Sequence, residues 1–189
     1  MGAVYVLGPG GQYNHMICRR VSELGYDVKL RSLETPLSEM MDASAFIVGG
    51  GPGRLGLGDP ASQNLSAVLK RAQQPVLGIC YGHQFIAQLF GGKVVSASQP
   101  EFGPVEVQVV KRDAFFDSVP QRFTAWLSHN DEVAVLPSGF EVLAQSGDTK
   151  YQAVKSSDSH IYGVQFHVEV EHTQFGSRML SNFLKASKR

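Results

Sequence analysis

The stretch that most restricts how this chain can fold is Gly78-Ile79-Cys80-Tyr81-Gly82-His83-Gln84. The apolar run Pro75-Val76-Leu77 before it reads as a buried strand, and Phe85-Ile86-Ala87-Gln88-Leu89-Phe90 after it has helical spacing. A cysteine therefore falls on a sharp strand-to-helix turn, with glycine two residues to either side. Such a turn strains the backbone at its centre, and only glycines at 78 and 82 leave room for the neighbouring chain. This is the G-x-S-x-G elbow with sulfur in place of the hydroxyl. A helix starting at Tyr81 or Gly82 aims its free N–H groups and positive dipole end at the sulfur, which favours the anion there. A lone cysteine is more often a small buried hydrophobe, but this flanking pattern marks Cys80 as a nucleophile.

The elbow sits in an alternating chain. Ala3–Leu7 is a short apolar strand, followed by the turn cluster Gly8-Pro9-Gly10-Gly11. Asn14 to Leu24 carries Met16, Ile17, Val21 and Leu24 near helical spacing and stops at Gly25. Asp27–Leu33 alternates as an edge strand does, and Ala45–Val48 runs straight into Gly49-Gly50-Gly51-Pro52-Gly53. Ala61–Gln73 turns Leu65, Val68 and Leu69 inward as a helix, and Pro75–Ile79 ends at Cys80. The order β-α-β-β-α-β-α implies a mostly parallel open sheet with helices on both faces. After Gly91-Gly92 come short segments, 102–110, 122–127, 132–136, 140–146, 151–155 and 161–165, which read as antiparallel additions to the sheet. A last helix is expected over Thr173–Ala186. No repeat, low-complexity tract or linker interrupts the 189 residues, so one α/β domain is expected over 1–189.

Seventeen basic and seventeen acidic residues leave no formal charge to attract nucleic acid or an anionic membrane. No apolar run reaches the length of a membrane span. Met1-Gly2-Ala3-Val4-Tyr5 lacks the basic and apolar stretches of a signal peptide, and Val6 stands where myristoylation needs Ser or Thr. Two cysteines, Cys18 and Cys80, have no zinc or disulfide spacing. The expected compartment is the cytoplasm.

A thiolate nucleophile needs a base that takes and returns a proton. Of six histidines, His83 lies three residues past Cys80 on the same helix and is expected to point away or pack. His160 sits in the polar turn Ser156–His160 and reads as a solvated loop residue. His15 and His172 begin helices with no carboxylate suitably placed. His167 ends the strand Ile161–Phe166, and Glu169 follows at i+2, on the same side if the chain is extended. The carboxylate can then hold the imidazole tautomer, the third role of a triad. Both Cys80 and His167 lie beyond the carboxyl ends of strands, where open α/β sheets gather their chemistry. Acyl transfer also needs donors for the oxyanion. The N–H after the nucleophile, at Tyr81, is one source, and the Gly49-Gly50-Gly51-Pro52 loop is the expected other. Phosphate binding by that loop is disfavoured, since no G-x-x-x-x-G-K-[ST] pattern is present and proline has no N–H to offer.

Gly78–Gln84 together with Gln165-Phe166-His167-Val168-Glu169 resembles the class I, triad-type glutamine amidotransferases. Within them, Gly11-Gln12-Tyr13 with His15, Ile17 and Arg19, then Gly50-Gly51-Pro52, and Ser128-His129-Asn130-Asp131-Glu132-Val133 resemble the glutaminase part of GMP synthases. The resemblance implies Cys80 as nucleophile, His167 as base and Glu169 as orienting carboxylate. It further implies oxyanion donors at Gly51 and Tyr81 and a substrate-binding Gln84. Glutamine would be hydrolysed through a γ-glutamyl thioester. The ammonia would aminate xanthosine monophosphate on a separate synthetase (ATP pyrophosphatase) subunit, because no Ser-Gly-Gly-x-Asp-Ser loop occurs in this chain. No cofactor is expected in this subunit, with ATP and magnesium on the partner. His129 and Asp131, read as part of a polar loop between two strands, are the expected partner contacts.

Three departures from the family pattern stand out. Val168 replaces the usual proline between His and Glu and is expected to leave a looser loop; Gly49 replaces a serine, and Gly8-Pro9 an Asp-Phe or Asp-Asn pair. The alternatives are the glutaminase of another biosynthetic amidotransferase, a stand-alone γ-glutamyl hydrolase, and a regulatory module with a dead elbow. The intact Cys80, His167 and Glu169 argue against the last.

Overall fold

The structure, a computed structural model, describes residues 2–11, 13–157 and 161–186. Gln12 and His160, the latter expected in a solvated loop, lie outside the described residues. The first half runs β1 (Ala3–Gly8), α1 (Asn14–Glu23), β2 (Val28–Ser32), β3 (Ala43–Val48), α2 (Gln63–Arg71), β4 (Val76–Ile79) and α3 (Tyr81–Leu89). This is the order the periodicities predict. The second half runs β5 (Lys93–Val109), β6 (Arg122–Val135), β7 (Phe140–Gln145), β8 (Ala153–Ser156), β9 (Ile161–Val164) and α4 (Gly176–Ala186).

The nine strands among the described residues belong to one sheet in the order β2-β1-β3-β4-β9-β8-β7-β5-β6. Pairing is parallel from β2 through β9 and antiparallel from β9 to β6. Period-2 alternation divides β1 between two cores. Val4 and Val6 face Ile17 and Val21 of α1 and Met179, Leu180 and Phe183 of α4. Ala3, Tyr5 and Leu7 face Leu65, Val68 and Leu69 of α2 and Phe85 and Ile86 of α3. Helices thus cover both faces, each closing its own apolar stripe.

The antiparallel half corrects several expected boundaries. Segments 122–127 and 132–136 are one strand, β6, and Ser128–Asp131 is its middle rather than a loop. Burial alternates through Phe123, Ala125, Leu127, His129, Asp131 and Val133, so the two polar side chains take inward positions of the pleat. Its partner β5 begins at Lys93, nine residues before the expected start at Phe102, and the β5–β6 register shifts between Ser96 and Glu101. Pro100, which cannot donate to a ladder, falls inside that irregularity. Strand β9 stops at Val164, so His167 and Glu169 leave the sheet and lie in a turn, not in extended chain. Helix α4 starts at Gly176, later than Thr173.

Candidate active site

The elbow has the backbone its sequence demands. Cys80 lies between β4 and α3 with φ 52° and ψ −105°, a conformation that costs an L-residue about 1–3 kcal/mol. A Cβ at Gly78 would stand 2.5 Å from the Gly82 carbonyl carbon, and one at Gly82 would overlap the Val48 carbonyl oxygen. The strained residue is pinned by its N–H, which donates to Val164 of β9 at 2.8 Å. Its sulfur lies 3.7 Å from the Ser128 carbonyl oxygen of β6, so β6 borders the nucleophile as well.

His167 reaches the sulfur from the turn after β9. Its N–H donates to the Trp126 carbonyl (3.0 Å), and its own carbonyl accepts from the Thr173 hydroxyl (2.5 Å). The ring packs against Tyr13 with centroids 4.9 Å apart. Nδ1 is 2.7 Å from Glu169 Oε1, both side chains being buried. Burial opposes the imidazolium, but hydrogen bonds to Cys80 and Glu169, with the charges of both, outweigh it and push the pKa up to about 10. The upward shift favours the imidazolium between sulfur and carboxylate, the form that carries a proton for a leaving group. Val168 in this turn is 1% exposed within the core, and Gly176 packs against its backbone.

The glycine loop after β3 closes the site. A Cβ at Gly50 would lie 3.1 Å from His167 Cε1 and 3.6 Å from Cys80 Cβ, so any side chain there would wedge into the reacting groups. Gly51 and Cys80 together line two adjoining cavities, of about 210 and 370 Å³. Tyr81, the first residue of α3, has an N–H with no acceptor inside the helix. A larger cavity of about 610 Å³, lined by Arg112, Asp113, Phe116 and Asn182 among others, contains none of these groups. Its volume does not locate the chemistry.

The class I glutamine amidotransferase family model matches residues 6–187. The chain belongs to that family. It is 39% identical over 186 residues to a glutamine-hydrolysing GMP synthase subunit of Archaeoglobus fulgidus, covering 98% of this chain and 99% of that one. The protein of the same name from Methanocaldococcus jannaschii is 40% identical, with 96% of each chain covered. The crystal structure of a GMP synthase subunit homologue from Thermoplasma acidophilum superposes with a TM-score of 0.92 at 35% identity. It covers all of this chain and 94% of that one.

Two expected site residues of this amidotransferase domain take roles other than the sequence suggests. His129 and Asp131, expected to meet a partner from a loop, are 3% and 2% exposed and face inward. His129 sits between the Asp131 carbonyl (3.0 Å from Nδ1) and Glu101 (2.9 Å from Nε2). Burial would raise the Glu101 carboxyl, yet contacts with His129, Thr149 and Ser146 hold it below the usual carboxylate range. The Asp131 carboxylate is taken up by Arg54 and the Gly56 N–H. The contact residues proposed from the sequence are therefore internal supports of the cleft, because the pleat of β6 turns them away from solvent. Gln84 borders the smaller cavity, but its amide nitrogen already donates to the Asp131 carbonyl (2.7 Å) and Gln165 Oε1 (3.1 Å).

His83 packs, as expected, under α3 with 1% exposure. Its ring fills the space left by the missing side chain of Gly163. Burial, with a smaller push from His129, lowers its pKa to about 3. Among the described residues neither ring nitrogen has a well-formed hydrogen bond, and the Tyr151 backbone weakly favours its proton.

Sequence reading missed Asn14, Pro9 and Arg54. Asn14 Nδ2 donates to the Gly11 (2.8 Å) and Gly50 (3.3 Å) carbonyls, and a Cβ at Gly49 would overlap its Oδ1. The unusual Gly49 is the space that Asn14 occupies. Pro9, the other departure, packs on Gly51. A polar residue on the inward side of α1, beside Ile17 and Val21, was the one signal for Asn14. For Arg54 there was none, since an arginine in a glycine-rich loop reads as solvated.

Proposed function

We propose that this chain is the glutaminase component of a two-subunit GMP synthase. The observation that supports it most is the ordered Cys80–His167–Glu169 set, with His167 Nδ1 on a buried carboxylate and its ring beside a strained nucleophile. Its place in a two-subunit enzyme draws on relatives named as GMP synthase subunits, which match over nearly their whole length.

On this reading Cys80 Sγ attacks the side-chain amide carbon of glutamine. The oxyanion that forms accepts hydrogen bonds from the Gly51 and Tyr81 N–H groups. As it collapses, the C–N bond breaks and His167 delivers its proton to the departing ammonia, leaving a γ-glutamyl thioester. His167, now neutral, takes a proton from water as that water attacks the thioester; glutamate leaves and the thiolate–imidazolium pair returns. Glu169 keeps Nδ1 protonated throughout, so that the other ring nitrogen faces the chemistry. Gln84 borders the substrate cavity. The ammonia aminates xanthosine monophosphate on a separate synthetase, which binds ATP and magnesium; this subunit uses no cofactor. We place the reaction in the cytoplasm.

Glutamate and ammonia are measured with the purified chain alone, then with a synthetase partner, ATP, magnesium and xanthosine monophosphate. Slow hydrolysis alone and strong stimulation by the complete mixture are expected. Full-rate hydrolysis by the isolated chain would point to a stand-alone γ-glutamyl hydrolase. Absence of glutamine hydrolysis in the complex would overturn the glutaminase itself.

A further inference from the structure

The glycine loop is anchored at two ends. At its front, the Gly49 N–H donates to Leu7 of β1 (3.0 Å) and Asn14 holds the Gly50 carbonyl. At its rear, Asp131 Oδ1 accepts from Arg54 Nε (2.9 Å) and Nη2 (2.8 Å), while Oδ2 accepts from the Gly56 N–H (2.9 Å). Asp59 fixes the same turn through the Arg54 N–H (2.7 Å). Gly51, Pro52 and Gly53 span the distance between these anchors and border the cavity that Cys80 lines.

The rear anchor is built into the cleft wall. Asp131 is buried, and its carbonyl is itself fixed by Gln84 and His129. Its carboxylate is thus an immobile acceptor, and a carboxylate with three charge-assisted or backbone donors holds its partners within narrow limits. Arg54 is the adjustable half, its side chain 34% exposed at the cavity rim. Oxyanion stabilisation depends on donors placed within a few tenths of an ångström, so the loop's rear anchor matters to the transition state more than to the ground state.

We infer that Arg54, acting through Asp131, is a positioning residue of the glutaminase: it holds the Gly51 N–H over Cys80. This rests on the reaction proposed above and assigns a further residue to it. Direct recognition of the substrate's α-carboxylate by Arg54 is the rival role, and the two make different kinetic demands.

Arg54→Met and Arg54→Lys are compared with wild type in two ways. In steady-state hydrolysis with the synthetase complex, Arg54→Met should lower kcat by about tenfold to a hundredfold with KM little changed, short of the loss of a whole oxyanion donor. Arg54→Lys, which can still reach Asp131, should recover part of it. The second readout is inactivation of Cys80 by a chloroketone analogue of glutamine, whose carbonyl becomes an oxyanion, against alkylation by iodoacetamide, which forms none. Arg54→Met should slow the maximal chloroketone rate and leave iodoacetamide unchanged. A raised KM or chloroketone KI with unchanged maximal rates would overturn the inference in favour of substrate binding. Equal slowing of both reagents would overturn it as well, since Arg54 would then support the elbow rather than the loop. The labelling comparison needs no partner, so it still decides the role of Arg54 if the complex fails to turn glutamine over.

Discussion

At the scale of single residues, the two cysteines stand in different backbone and side-chain settings. Cys80 stands in a strained turn beside the His167 ring, whereas Cys18 lies within α1, where burial pushes its thiol up. A glutamine-mimicking electrophile should therefore label Cys80 alone; peptide mass mapping that found the label on Cys18 would contradict the assignment. The triad members should also differ in consequence. Cys80→Ala removes the bond-forming atom, while Glu169→Ala removes only the group that orients His167. Glu169→Ala should leave activity about one to two orders of magnitude above that of Cys80→Ala, measured as kcat in the complex. Equal loss would show that His167 has no other support in this turn.

At the scale of elements, one of the contacts that seat α3 on the sheet is a fit between a helix residue and a missing side chain. Gly163 of β9 faces the His83 ring, and a Cβ there would come within 2.5 Å of Nδ1. Both residues are buried, so neither can shift into solvent. Gly163→Ala should cost about 1–3 kcal/mol by overpacking, read from the urea midpoint. His83→Ala with Gly163→Ala should cost less than the sum of the two single changes, because the clash disappears with the ring. Additive losses would mean that the pair does not set the α3–β9 spacing. That spacing matters chemically, since α3 carries Tyr81 and Gln84 and β9 leads to His167.

At the scale of the whole molecule, two buried histidines bound the pH range of stability from opposite sides. His83 is lowered from 6.5 to about 3, so its contribution is present above pH 6.5 and lost as pH falls toward 3. His167 is raised from 6.5 to about 10, so its contribution is present below pH 6.5 and lost as pH rises toward 10. Within either window the slope is at most about 1.4 kcal/mol per pH unit. Denaturation at a series of pH values should show stability falling on both sides of neutrality. His83→Leu should flatten the acid limb relative to wild type, and His167→Gln the alkaline one. Unchanged limbs in these variants would assign the pH dependence to other groups.

The sequence alone determined what is local or periodic. The glycines of the elbow, the apolar runs of β1, β3 and β4, and the inward stripes of α1 to α3 each state their structure within a few residues, and Cys80, His167 and Glu169 followed from them. Even there the reason for one contact differed. His167 and Glu169 meet in a turn closed by Thr173 and packed around Val168, not along an extended strand. What lay beyond local pattern was decided by tertiary structure. His129 and Asp131 look like loop polarity because their partners, Glu101 and Arg54, are far away in sequence. Their alternation with Leu127 and Val133 was the single legible sign of a strand, and a polar residue at an inward position is readable only once its partner is known. Burial without a partner would be costly, so the fold had to bring β5 and the loop after β3 against β6 before those two side chains could face inward.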